Sequence, residues 1–230
     1  MIETAEKRYP KGYGYFQPVS DYRPWELDEA FQRVYDVVRE YTMVDIFRLY
    51  ELWQLVPQAV KAPGDVLEVG SWRGGSGALI AARLAGLDDS RRVVLADTFK
   101  GVVKAGPRDE YYRGGEHANT SAELVREVVE KLGLTTVDVL EGIFPEETAA
   151  HVERSEIALC HIDVDVYQSA KDTARWAWPR MRRGSILIYD DYGFYGCEGV
   201  TALVHEELDM PDRAVIRNLN GHAVVVKTGG

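Results

Sequence analysis

Two apolar runs in this sequence each close on a pair of carboxylates: IALCHIDVDV on Asp163 and Asp165, and GSILIYDDYG on Asp190 and Asp191. If both runs are parallel strands of one sheet, their carboxyl ends lie side by side, where open α/β folds bind ligands. Acids gathered so closely repel one another unless a cation or a proton sits among them, so a metal site is the leading reading. Alternation puts Asp163 and Asp165 on one face of their strand, whereas the adjacent Asp190 and Asp191 can share a site only where the strand has already turned. Otherwise one of that pair caps the next segment, and Asp165 has the alternative of serving the N-terminus of a helix that starts near Gln168. His161, on the face of Asp163, reads as a hydrogen-bonded core histidine ahead of a base. His117, His151, His205 and His222 show no ligand spacing, Cys197 reads as structural, and Asp172 as a solvated or capping residue.

A second group of residues surrounds the glycines of VLEVGSWRGGSGALIAARL. Gly70, Gly74, Gly75 and Gly77 fall where a strand turns into a helix, so backbone can approach a ligand closely. The spacing is not that of a dinucleotide fold, and the charge of Glu68 would oppose a pyrophosphate. The next strand ends in LADTF, where Asp97 can accept hydrogen bonds from both hydroxyls of a ribose. Together these describe a pocket for a nucleoside without phosphates that carries an amino-acid tail, as S-adenosylmethionine does.

The elements that must position these groups follow from periodicity. Short β-rich runs alternate with helical ones after Pro63-Gly64, the signature of a mostly parallel sheet covered on both faces. Strands are expected at 65–69, 92–97, 136–141, 157–164, 185–190, 213–219 and 222–227, and helices at 76–84, 121–132, 168–181 and 199–208. Asn220-Gly221 forms a tight turn that makes one strand antiparallel. The fold class is therefore α/β, a Rossmann-like, seven-stranded, mostly parallel sheet with one antiparallel strand. Upstream, apolar residues at helical spacing from Phe31 to Val56 give two helices, preceded by an irregular aromatic arm over residues 1–24. Residues 1–62 are read as an arm and helical extension of one domain, whose body is 63–230.

The motifs YTMVD, VLEVGSWRGGS, ADTFKG, LEGIFPEET, HIDVDVYQS and IYDDYGFYGC, in that order over residues 41–208, resemble the macrocin O-methyltransferase family of class I, S-adenosylmethionine-dependent enzymes that methylate hydroxyls of natural-product sugars. The resemblance implies cofactor contacts from Glu68, Gly70, Ser71, Trp72, Ser76, Asp97 and Thr98. It also implies closure over the amino-acid end by Thr42 and Met43, and an adenine border from Glu141, Gly142 and Phe144. It assigns Asp163, Asp190 and Asp191 to a divalent metal, Mg2+ or another, and Asp165 to the general base. Two departures from the family stand out: Val164 replaces a glycine between the two acids, and VVKAGPRDEYYRGGEHANTS is a shorter, charged segment expected to form a lid. Tyr192 and Tyr195 are expected to wall the substrate site, and Tyr13, Tyr15 and Phe16 to do the same or to pack against another subunit.

Composition bounds the partners. With 230 residues, 46% of them hydrophobic, the chain can bury a full core. A formal charge of -10 without a basic stripe excludes nonspecific attraction to nucleic acid or anionic membranes. No apolar run approaches the length of a membrane span, and two cysteines without metal-type spacing suggest neither a disulfide framework nor a thiolate zinc site. The expectation is a cytoplasmic, Mg2+-dependent O-methyltransferase, homodimeric or of higher homo-oligomeric order. Its acceptor is a small hydroxyl compound, a natural-product sugar ahead of a catechol, with a noncatalytic cofactor-binding domain as the rival from another class.

Overall fold

The computed structural model describes residues 9–15 and 19–229; Phe16 lies outside them. Seven strands, β1 (Asp65–Val69), β2 (Val93–Asp97), β3 (Val137–Glu141), β4 (Ile157–Ile162), β5 (Met181–Tyr189), β6 (Arg213–Arg217) and β7 (Ala223–Lys227), form one sheet in the order β3-β2-β1-β4-β5-β7-β6. The first five run parallel and β7 is antiparallel to both of its neighbours, as the Asn220-Gly221 turn requires. The strand order reverses direction between β1 and β4. That switch point opens a crevice at the carboxyl ends of the strands.

Period-two alternation sends successive strand residues to opposite faces, each covered by helices. On one face Val66, Leu95, Leu159, Ile188 and Val224 pack with α1 (Glu29–Val38), α2 (Ile46–Ala59) and α3 (Gly75–Ala85). On the other, Leu67, Val94, Ile162, Leu187 and Val225 pack with α5 (Tyr167–Ala177) and α6 (Glu198–Glu207). A fourth helix, α4 (Ala122–Lys131), adds Val125 and Val128 to the first cluster. Each large apolar side chain so buried contributes about 1.5–3 kcal/mol before entropic costs.

The helical extension is tied to the body through its caps. Asp28 caps α1 by accepting from Phe31 N at 2.9 Å, and its other oxygen accepts from Trp53 Nε1 on α2 at 2.9 Å. Asp45 caps α2 through Phe47 N and Arg48 N, placing the buried Arg48 in the first turn. The helix expected over 168–181 is shorter. It ends at Ala177 because Pro179 has no N–H to donate and disfavours helical backbone before it; a 3-10 turn, Trp178–Arg180, follows, and Met181 already pairs with Ile157 in the sheet. Arg182–Gly184 then loop out of register, and pairing resumes between Ile186 and Leu159.

Candidate active site

Both glycines nearest the crevice are required by space. At Gly70, with φ +92°, a Cβ would lie 1.7 Å from the carbonyl oxygen of Asp163, and at Gly77 it would meet Leu95 Cδ2 at 2.3 Å. The turn therefore lies flat against the end of β4. Gly75 N donates to Tyr41 O at 2.9 Å, which draws the YTMVD joint over the start of α3. These elements and the segment after β2 enclose a cavity of about 310 Å3.

Thr42, Met43, Gly70, Ser71, Trp72, Ser76, Asp97, Thr98, Gly142 and Phe144 line it together with Asp163, Asp165, Asp190 and Asp191. Asp97 accepts from Trp72 N and Phe99 N, both at 2.7 Å, and burial pushes its carboxyl up against these bonds. Ser71 Oγ is buried without a hydrogen-bond partner among the described residues, which is how a ligand-facing hydroxyl looks before the ligand arrives. Two residues expected at the cofactor lie off the cavity lining. Glu141 is exposed at the end of β3. Glu68 is fully buried beneath the turn, with Oε1 2.9 Å from Nδ1 of His161 and Oε2 without a partner among the described residues.

The acids converge. Single carboxylate oxygens of Asp163, Asp190 and Asp191 lie within 4.8 Å of one another, and a second trio joins Asp165, Asp191 and Cys197 within the same span. Adjacent Asp190 and Asp191 share the site because β5 ends at Tyr189 and the backbone has turned. Asp165 sits at φ +64°, a conformation uncommon outside glycine that aims it into the cavity. Its backbone N–H donates to Asp191 Oδ2 at 2.9 Å, and Tyr112 OH donates to its Oδ1 at 2.5 Å. The helix-serving alternative for Asp165 is replaced by a residue from elsewhere: the N-terminal amide of α5, Tyr167 N, donates at 2.9 Å to Asp109, buried in the segment after β2. Asp172 pairs with Lys104 at 2.8 Å, and Cys197 packs 4.0 Å from Asp165.

Charge separates the four acids into two kinds. Burial works against ionisation of Asp190, but the Arg48 guanidinium and hydrogen bonds from His161 and His222 overcome it and hold its carboxyl below the usual range. Burial, then the neighbouring acids, push Asp163 and Asp191 well above that range. Burial likewise raises Asp165, against the Tyr112 hydrogen bond. Arg48 offsets the burial and repulsion at Asp163 and Asp191 only in part, and hard carboxylate oxygens are what Mg2+ prefers. The residues fit a divalent cation.

His161 is the buried, hydrogen-bonded histidine that its strand position suggests; bonds to Asp190 and Glu68 outweigh burial and push it up to about 9. Sequence patterning passed over Arg48 and His222, which both reach Asp190. Neither carries a spacing signal, since each meets the acids only through the fold. At the rim, Tyr195 and Phe194 line the cavity, and Tyr13 of the arm packs on Tyr195 with ring centroids 5.5 Å apart. Tyr15 packs on Tyr9, and Tyr192 turns away to His205.

Sheet order and crevice together define a class I methyltransferase fold. Within that class the chain belongs to the macrocin-O-methyltransferase (TylF) family, whose model matches residues 33–217. It is 35% identical over 169 residues to the 8-demethyl-8-(2,3-dimethoxy-alpha-L-rhamnosyl)-tetracenomycin-C 4'-O-methyltransferase of Streptomyces olivaceus, covering 68% of this chain and 64% of that one. It is 31% identical to the mycinamicin III 3''-O-methyltransferase of Micromonospora griseorubida, over 74% of this chain and 70% of the relative. The chain thus spans just under two thirds of the first relative's length. Among solved structures, the O-methyltransferase NovP superposes with a TM-score of 0.68 at 27% identity, covering 83% of each chain. Among the described residues, no helix is long and apolar enough to cross a membrane.

Proposed function

We propose that this chain transfers the methyl group of S-adenosylmethionine to a hydroxyl of a natural-product sugar, aided by a divalent cation, Mg2+ in the first instance, held by Asp163, Asp190 and Asp191. The observation that carries this is one cavity lined both by the glycine turn and Asp97 and by the three clustered carboxylates with Asp165. The sugar acceptor is supported by two relatives, a rhamnosyl 4'-O-methyltransferase and a mycinamicin 3''-O-methyltransferase.

S-adenosylmethionine supplies a methyl carbon already activated by its sulfonium: the acceptor oxygen bonds to that carbon as the carbon–sulfur bond breaks and a neutral thioether leaves. A bound divalent cation supplies Lewis acidity that makes a nearby hydroxyl more acidic. The chain does the rest. The glycine turn, Ser71 and Asp97 bind and orient the donor, and alignment of this kind contributes at most about 7–11 kcal/mol. Asp165 takes the hydroxyl proton; Tyr112 occupies its Oδ1, which leaves Oδ2 for the acceptor. Tyr112, Phe194 and Tyr195 narrow the opening and limit water. The exposed aromatics of the arm, Tyr15 and Tyr22, fit self-association as a homo-oligomer, which light scattering on the purified chain would reveal.

The test is a methylation assay read by mass spectrometry, with S-adenosylmethionine, a panel of glycosides, sugar nucleotides and catechols, and Mg2+ or EDTA. Glycoside or sugar-nucleotide methylation that EDTA abolishes is the expected result. Turnover confined to catechols would remove the sugar assignment, turnover indifferent to EDTA would remove the metal, and donor binding without methylation of any hydroxyl would leave a noncatalytic domain.

A further inference from the structure

Beneath the carboxylate trio runs a buried row of polar side chains that the proposed chemistry does not by itself explain. Glu68 pairs in register with His161 across β1 and β4, and His161 with Ile188 across β4 and β5. Tyr189 of β5 pairs with Ala223 of the antiparallel β7, so the next positions outward, Asp190 and His222, also face each other. Glu68, His161, Asp190 and His222 project toward α1–α3 by strand alternation, opposite to Tyr189 and Ala223. The contacts close a chain: Glu68 Oε1 to His161 Nδ1 at 2.9 Å, His161 Nε2 to Asp190 Oδ1 at 3.4 Å, His222 Nε2 to the same oxygen at 2.8 Å, and His222 Nδ1 to Glu51 Oε2 on α2 at 2.7 Å. Arg48 holds the other oxygen, Oδ2. Both imidazoles are fully buried and meet edge to face, ring centroids 5.9 Å apart.

We propose that His222, braced by Glu51, is a positioning residue that fixes Asp190 as a ligand of the divalent cation, with His161 and Glu68 as its counterpart on the other side. The inference rests on the metal reading of the trio given above. A carboxylate offers about four lone-pair directions. The two imidazoles take both on Oδ1 and Arg48 takes one on Oδ2, so Asp190 presents a single remaining direction, and it cannot rotate without breaking bonds in a dry interior. Carboxylate–histidine pairs behind a metal site hold ligands in this way, and their loss typically weakens metal binding about 10- to 100-fold. His222 lies beyond residue 217, where the family match ends, so the brace comes from a part of this chain outside the matched segment.

The experiment needs no acceptor. The full chain, stripped of metal, is titrated with Mn2+ while free Mn2+ is followed by electron paramagnetic resonance; Mg2+ competition and calorimetric S-adenosylmethionine affinity are measured in parallel. His222→Leu should bind Mn2+ about 10- to 100-fold more weakly with S-adenosylmethionine affinity unchanged. His222→Gln, whose amide can still donate to Asp190, should recover most of the loss. Unchanged Mn2+ affinity in His222→Leu overturns the inference, whereas an equal loss of both ligands marks general unfolding and passes the decision to a Glu51 variant. Glu51→Ala, at a partly exposed position, removes the acceptor of His222 Nδ1 and keeps the test decisive if His222→Leu does not fold: weaker Mn2+ binding supports the brace and unchanged binding refutes it. Failure of the parent reading looks different. In that case the unaltered protein binds no Mn2+ at millimolar concentration, whereas Asp163→Asn abolishing Mn2+ binding with His222→Leu leaving it intact keeps the metal site and discards the brace.

Discussion

Asp165 differs from its three acidic neighbours in what holds it: a tyrosine hydroxyl on one oxygen and a backbone at φ +64°. That environment fixes the carboxylate with one oxygen turned to the cavity, as a proton acceptor requires. Asp165→Asn should therefore leave S-adenosylmethionine affinity intact in calorimetry and slow methylation about 100- to 10,000-fold; an undiminished rate would remove the base assignment. Tyr112 acts through it. A hydrogen bond to a charged group contributes about 1.5–3 kcal/mol, so Tyr112→Phe should lower kcat roughly tenfold or more. In an Asp165→Asn background the same substitution should cost nothing further, because its partner's role is already gone. Additive losses across this double-mutant cycle would mean that Tyr112 serves packing alone.

The segment between β2 and α4 is irregular, yet it is pinned at several points. Asp109 caps α5 from a distance, Ser169 Oγ donates to Val103 O at 2.8 Å, and Lys104 bridges Glu146 and Asp172. Trp72 Nε1 donates to Asn119 Oδ1 at 3.2 Å and joins its far end to the glycine turn. The element thus couples the cavity wall carrying Tyr112 to the helix that follows Asp165. Asp109→Ala leaves the α5 terminus without its acceptor and should lower unfolding stability by about 0.5–2 kcal/mol in urea titrations. It should also raise the acceptor KM more than it changes donor affinity, and a variant as stable as the parent with an unchanged KM would show the anchor to be dispensable.

Across the whole molecule, protonation of the clustered acids is linked to stability. The metal-free carboxyls of Asp163, Asp165 and Asp191 stand above the ordinary range, so the unfolded chain releases those protons first as pH rises. The folded state then holds more protons than the unfolded one, and stability falls from about pH 4, the ordinary carboxylate value, upward through the raised values. Asp190 has the opposite sign: its contribution is full above about pH 4 and is lost as pH falls through its depressed value. A divalent cation would take the place of the protons, so Mg2+ should raise the Tm more near pH 8 than near pH 5, and an equal gain at both would contradict this. By itself the sequence determined the strand and helix pattern, the reversal at Asn220-Gly221, and the acids at the ends of β4 and β5, because periodicity, glycine and charge repulsion are local properties. It did not show that α5 stops at Ala177, although Pro179 was there to signal it. Only the tertiary structure decided that Glu68 turns under the glycine loop to His161, that Asp109 and not Asp165 serves α5, and that Arg48 and His222 close on Asp190. Those partners come from α2, from the turn before β7 and from a loop, each with no pattern of its own; strand register and burial alone bring them together.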